Sequence, residues 1–193
     1  MTNIEINPLA PRLKELFATP EVPELGPRQR DGVLPVAELN ARLENFFHRA
    51  TAPRETQALI RCAALLWHDH LDASHEISQA IGTPDGSFLH GIMHRREPDY
   101  GNAKYWFRRT GPHHAYPAIA RAAGEFLAAQ NETALATRLA PRGQWDAFAF
   151  VDACEEAAQR SASEKFREQL RAVQQIEFNI LFAHFCSGLR GAA

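Results

Sequence analysis

Histidine is the residue type whose placement in this sequence departs most from an even spread. Of nine histidines in 193 residues, seven (His68, His70, His75, His90, His94, His113 and His114) fall between residues 67 and 116. Imidazole titrates near neutrality and is the commonest metal ligand, so a local surplus points to proton transfer or to an ion. Helical spacing orders the set. At about 100° per residue, His68, Asp72 and His75 share one stripe at i, i+4 and i+7, extended at its ends by Arg61 and Gln79. His90, His94 and Glu97 repeat the spacing further along the chain. Two imidazoles at i and i+4 are how one helix offers two nitrogens to one ion. His68, Asp72, His75, His90 and His94 are therefore the candidate ligands for a divalent Zn, Ni, Mn or Fe ion. Five exceed what one centre with an open position uses, so the remainder would orient ligands or serve as a base. His70 falls instead among Leu66, Trp67 and Ile77, the place of a hydrogen-bonded core histidine.

Glu97 and Glu177 are the candidate catalytic carboxylates. Glu177 and His184 lie on the apolar side of the last helical segment, with Phe166, Leu170, Val173, Ile180 and Leu181. A carboxylate there needs a metal, an arginine or a histidine, because an unpaired buried charge costs several kcal/mol. A general base beside a metal-bound water and a buried Glu–Arg pair that fixes packing both satisfy that need. Residues 90–114 carry a net charge of +3 while the remaining residues sum to −5. Arg95, Arg96, Tyr100, Lys104, Trp106 and His113 are the candidate substrate-binding residues there, suited to an anionic or polyhydroxyl ligand by charge, forked hydrogen bonds and stacking. The competing reading is plainer: His90, His94 and Glu97 form a solvated polar face, with the arginines in water and the aromatics in the core.

The elements that must position these groups are helical. Half of the twelve prolines precede residue 36, which predicts an extended, proline-rich arm over residues 1–34 with at most a short helix around Leu13–Phe17. Its Leu9, Leu13, Leu16 and Phe17 suit packing on the body or on a partner. From residue 35 to 193 a single domain is expected. Apolar residues recur at helical spacing after Pro35, and from Pro53 as far as Ile81, where Gly82 supplies a stop. Asp85 or Ser87 can cap the next helix and Asp99 the one after, which Gly111-Pro112 closes. Further helices carry Tyr116–Leu127, Leu135–Leu139 and Trp145–Val151. Ser161 to Glu164 has the spacing of a capping box before the last. No run alternates with period two for long enough to make a strand. The fold class is all-α, an irregular bundle of seven or eight helices.

Composition narrows the function. A formal charge of −2 and a pI near 6.5 are unlike a general nucleic-acid or membrane-surface binder. Three cysteines, widely spaced, make neither a disulfide scaffold nor a zinc knuckle. The opening residues lack the apolar run of a signal peptide and no stretch is long enough to span a membrane, so a cytoplasmic protein is expected. There is no glycine-rich phosphate loop and no nucleophile elbow.

LWHDHLDASHEISQ, followed by HGIMHRREPDYGNAKYWFRRTGPH, resembles a bacterial and fungal family of conserved, uncharacterised proteins over about a third of the chain. The resemblance implies no activity. Members tend to carry a proline where this chain has His114, so it lends weight to His113 and none to His114. His68-Asp69 also resembles the paired ligands of HD-type metal phosphohydrolases, without a matching aspartate downstream. The expectation is a metal-dependent enzyme, by preference a hydrolase, acting on a small molecule. The alternatives are a non-catalytic small-anion or polyol binding protein and a structural homo-oligomer.

Overall fold

The computed structural model describes residues 15–187 and 189–191. Leu9, Leu13 and the start of the arm lie outside the described residues, as does Gly188. Among the described residues nine α-helices make up the body, so the fold is an all-α bundle. α1 (Val36–Phe47) starts directly after Pro35 and buries Leu39, Leu43, Phe46 and Phe47. α2 (Arg54–Trp67) follows Pro53 in the same way. Both prolines sit at the N-cap with extended ψ (148° and 147°), just outside the first turn, where a missing N–H removes no intrahelical bond.

The stretch expected to form one helix from Pro53 to Ile81 is two. The chain breaks at His68–His70, where Asp69 takes a left-handed φ of 63°, and resumes as α3 (Leu71–Ser78). No glycine or proline marks the break. What holds it is the Asp69 carboxylate, which accepts from the Arg30 backbone N–H (3.0 Å), Arg30 Nε (2.8 Å) and Arg96 Nη2 (2.6 Å). α3 then returns across α2, with the Ser74 hydroxyl donating to the Cys62 carbonyl at 3.2 Å.

α4 (Pro84–Arg96) is capped by Thr83, not by Asp85 or Ser87: the Thr83 hydroxyl accepts from the Gly86 N–H at 3.4 Å. Gly86 is required, since a Cβ there would lie 2.5 Å from the Ile81 carbonyl oxygen. Every residue of α4 from Gly86 to Arg96 is buried, which makes it the central helix. α5 (Tyr100–Thr110), capped by Asp99, packs on it most extensively. Gly91 is what allows the approach, because a Cβ there would meet three carbons of the Phe107 ring at 3.1 Å.

α6 (Tyr116–Ala129), α7 (Thr133–Leu139), α8 (Ala147–Ala157) and α9 (Glu164–Cys186) complete the bundle. The cap of α9 is Ser163, whose hydroxyl accepts from the Phe166 N–H at 3.2 Å, rather than Ser161. A two-residue antiparallel pair, β1 (Ala50–Thr51) with β2 (Arg190–Gly191), ties the end of the chain back to the start of the body.

Residues 15–34 lie against this body. His68 clamps both ends of the segment: its Nδ1 accepts from the Leu34 N–H at 3.0 Å, and its Nε2–H donates to the Leu16 carbonyl at 2.7 Å. Trp67 Nε1 donates to the Thr19 hydroxyl at 3.0 Å, and Gln174 Nε2 to the Pro23 and Glu24 carbonyls at 3.1 Å each. Among the described residues, no helix is long and apolar enough to cross a membrane.

Candidate metal centre

α3 and α4 run together through the short turn at 79–83, and the face they share carries three imidazoles. His75 from α3 meets His90 and His94 from α4, with ligand nitrogens all within 4.8 Å of one another. The His75 ring stands edge-on to both others, at centroid distances of 4.7 and 5.3 Å. His90 and His94, one turn apart, stack at 4.8 Å. His75 is half-buried and gives the cluster its access to solvent, while His90 and His94 are buried.

Each ring has a different support. The Trp106 indole of α5 stacks on His90 at 3.7 Å and 13°, with the Arg109 guanidinium on the indole at 5.2 Å. Both ring nitrogens of His90 are buried and, among the described residues, have no hydrogen-bond partner. Burial first, and then the neighbouring His94 and His75, push the His90 ring down to about 3. His94 Nδ1–H donates to Glu97 Oε2 at 3.1 Å, which leaves Nε2 with its lone pair facing the Asn102 amide nitrogen at 3.1 Å. Burial also lowers His94, with Glu97 pulling the other way. At neutral pH, His90 and His94 are therefore uncharged and offer lone pairs, the form a metal requires.

The structure brings His75, His90 and His94 together and leaves His68 and Asp72 out. His68 sits in the break between α2 and α3 with both nitrogens committed to residues 15–34. The same break removes the helical phase that would have aligned Asp72 with it. Asp72 is exposed and lines a surface groove beside Gln29, His70 and Glu97. The HD-like pair fails for a related reason, since Asp69 is consumed by Arg30 and Arg96. His70 is half-buried rather than core, with its Nε2 at 2.7 Å from the Leu34 carbonyl.

Two substrate-binding candidates are corrected outright. Arg95 and Arg96 are both 0% exposed. Arg95 pairs with Glu177 (Nη2 to Oε2, 2.6 Å) and lies 4.3 Å over the Phe150 ring, while Arg96 pairs with Asp69. Glu177, also 0% exposed, is spent in that buried ion pair, with both carboxylate oxygens accepting from Arg95. Tyr100 packs half-buried against the core, and Lys104 forms an ion pair with Asp152 of α8. Trp106 packs on His90, as described above. Buried His113 donates from Nε2 to Asp85 Oδ1 at 2.9 Å. Glu97 is at the centre, as the carboxylate that orients His94.

Sequence reasoning missed Asn102, which has no periodic relation to His94, and it missed the stacking of Trp106 on His90. The interleaving of aromatics with basic residues on α5 was the only available signal for the latter. No family model, curated protein or solved structure matches this chain.

Proposed function

We propose that the chain is a metal-dependent enzyme, by preference a hydrolase, with one divalent ion held by His75, His90 and His94. The observation that carries this reading is His90. A buried imidazole with two unpartnered nitrogens costs roughly 1–3 kcal/mol, and among the described residues His90 is the one buried side chain with two such atoms, where Arg95, Arg96, Trp145 and Gln169 have one each. An ion shared with His75 and His94 would offset that cost. Three imidazole nitrogens suit Zn or Ni, and Fe or Mn less well, and three protein ligands leave a coordination position for water or substrate. Nitrogens within 4.8 Å of one another need to draw in by about an ångström to reach the spacing set by ~2.1 Å bonds. A bound ion would acidify a water there, which is the reason for preferring hydrolysis. Glu97 would hold His94 by its Nδ1–H, the arrangement that fixes tautomer and raises ligand basicity. Asn102 would exchange its contact with His94 Nε2 for the ion or its water.

The anion-binding alternative is weakened by the same geometry, because the two arginines it relied on are spent in buried pairs. The test is elemental analysis of protein purified without a metal-affinity tag, paired with a thermal melt before and after chelation. At least one equivalent of Zn, Ni, Mn or Fe, with one equivalent lost in His90→Ala and a fall in Tm on chelation, is the expected result. Metal-free protein that takes up no added ion and melts unchanged under chelation would end the proposal.

A further inference from the structure

A second group of imidazoles surrounds one carboxylate on another part of the surface. Asp85, in the first turn of α4, faces His113 and His114 from the loop before α6 and His184 from the last turn of α9. The distances are 2.9 Å from Oδ1 to His113 Nε2, 4.0 Å from Oδ1 to His114 Nε2 and 3.6 Å from Oδ2 to His184 Nε2. The His114 and His184 rings lie 3.8 Å apart. Burial opposes ionisation of Asp85, but the hydrogen bond from His113 and the neighbouring imidazoles outweigh it and hold the carboxyl below its ordinary range.

The three histidines do not play the same part. His113 Nδ1 accepts from the Ala115 backbone N–H at 3.2 Å, so the neutral ring carries its proton on Nε2 and donates it to Asp85. It cannot also ligate through Nε2 without becoming an imidazolate. His114 and His184 have no such commitment, and their side chains are 53% and 34% exposed. Around a tetrahedral ion with bonds of about 2.0–2.2 Å, ligand atoms stand about 3.3–3.6 Å apart. His184 Nε2 stands 3.6 Å from Oδ2 and His114 Nε2 4.0 Å from Oδ1, so the two imidazoles approach different oxygens of one carboxylate, and side-chain rotation would be needed to bring the three ligand atoms around one ion.

We propose that Asp85, His114 and His184 form a second divalent-metal site, open to solvent, in which His113 positions the aspartate. Two imidazoles and a carboxylate select an ion of the Zn²⁺, Ni²⁺ or Cu²⁺ class over Mg²⁺ or Ca²⁺. The ion would join the start of α4, the loop before α6 and the end of α9, three segments far apart in the sequence. The site shares no ligand with the His75/His90/His94 centre.

Zn²⁺ titration by calorimetry on the untagged full chain tests it, with thermal melts in parallel. The wild type is expected to take up two equivalents. His114→Ala/His184→Ala, one change at an exposed and one at a half-buried position, is expected to take up one, and His75→Ala to keep the equivalent that the double variant loses. His113→Ala should weaken the second equivalent about tenfold or more, and His113→Gln, whose amide can still donate to Asp85, should restore it. If the three-histidine centre binds nothing, the wild type takes a single equivalent that survives in His75→Ala and disappears in His114→Ala/His184→Ala. Zn²⁺ binding by His114→Ala/His184→Ala equal in number and affinity to the wild type overturns the proposal.

Discussion

Glu177→Ala is the substitution that separates a structural from a chemical role for the buried carboxylate. Arg95 donates to Glu177 through Nη1 (3.2 Å) and Nη2 (2.6 Å), with only a longer contact from Nη2 to Gln174 Oε1 (3.3 Å) besides. Its Nε has no partner among the described residues, and both side chains of the pair are 0% exposed. Truncating the glutamate strands a guanidinium in the core with one weak hydrogen bond. Breaking such a pair costs about 3–5 kcal/mol, whereas replacing both partners by apolar residues of similar volume is often neutral or stabilising. For a domain of this size each kcal/mol moves Tm by about 2–4 °C, so Glu177→Ala should melt roughly 6–20 °C below the wild type. Arg95→Met/Glu177→Leu should recover most of that loss, a non-additivity that a double-mutant cycle reads directly. Calorimetry or far-UV circular dichroism melts supply the values. Zn²⁺ uptake by the protein that remains folded should equal that of the wild type. A Glu177→Ala variant that melts within about 2 °C of the wild type would refute this account and return the carboxylate to the list of reacting groups.

Three other outcomes follow from the geometry. Burial pushes the His68 ring below its ordinary value, only partly offset by the hydrogen bond to Leu16. A group whose folded value lies lower than its unfolded one stabilises fully above about pH 6.5 and loses that contribution as pH falls below it. Hydrogen exchange at the Leu34 amide and proteolysis within residues 15–34 should therefore rise below about pH 6.5, and His68→Gln should flatten that dependence. Gly91→Ala places a methyl 3.1 Å from a Phe107 ring that is itself buried, so the overpacking cost of about 1–3 kcal/mol should exceed the helix-propensity gain. A lower Tm, restored by Phe107→Leu, is expected, and a higher Tm in Gly91→Ala alone would contradict it. Glu97→Ala and Trp106→Ala remove the two supports of the histidine cluster without touching a ligand. Each should weaken Zn²⁺ binding about 10–100-fold by competitive chelator titration, and unchanged affinity in both would show that the cluster is not a metal centre.

Helix starts were legible in the sequence wherever a residue carries its own local signal. Pro35, Pro53 and Asp99 each open a helix where the pattern places it, since proline geometry and an aspartate cap act within a turn. The break at Asp69 was not legible. The apolar period runs on past it, and the groups that stabilise it, Arg30 and Arg96, come from distant parts of the chain. That single break decided which of the five histidine and aspartate candidates converge, because it detached His68 from the phase of His75. His90 and His94 survived because both lie on one uninterrupted helix.

The charged run His94-Arg95-Arg96-Glu97 has the composition of a helix surface, yet its first three residues are buried. Burial is possible because each arginine finds its own carboxylate on a different neighbour. Arg95 reaches Glu177 on α9, and Arg96 reaches Asp69 at the break before α3. Consecutive residues on a helix diverge by about 100°, so the two pairs hold α4 from two directions and prevent its rotation. The direction left over is the one in which His90 and His94 face His75. Whereas removing Asp69 together with Arg96 would strand the buried Arg30 as well, the apolar swap Arg95→Met/Glu177→Leu should preserve stability. It should also loosen the register of α4 against α3, which Zn²⁺ affinity at the histidine cluster would detect even where Tm does not.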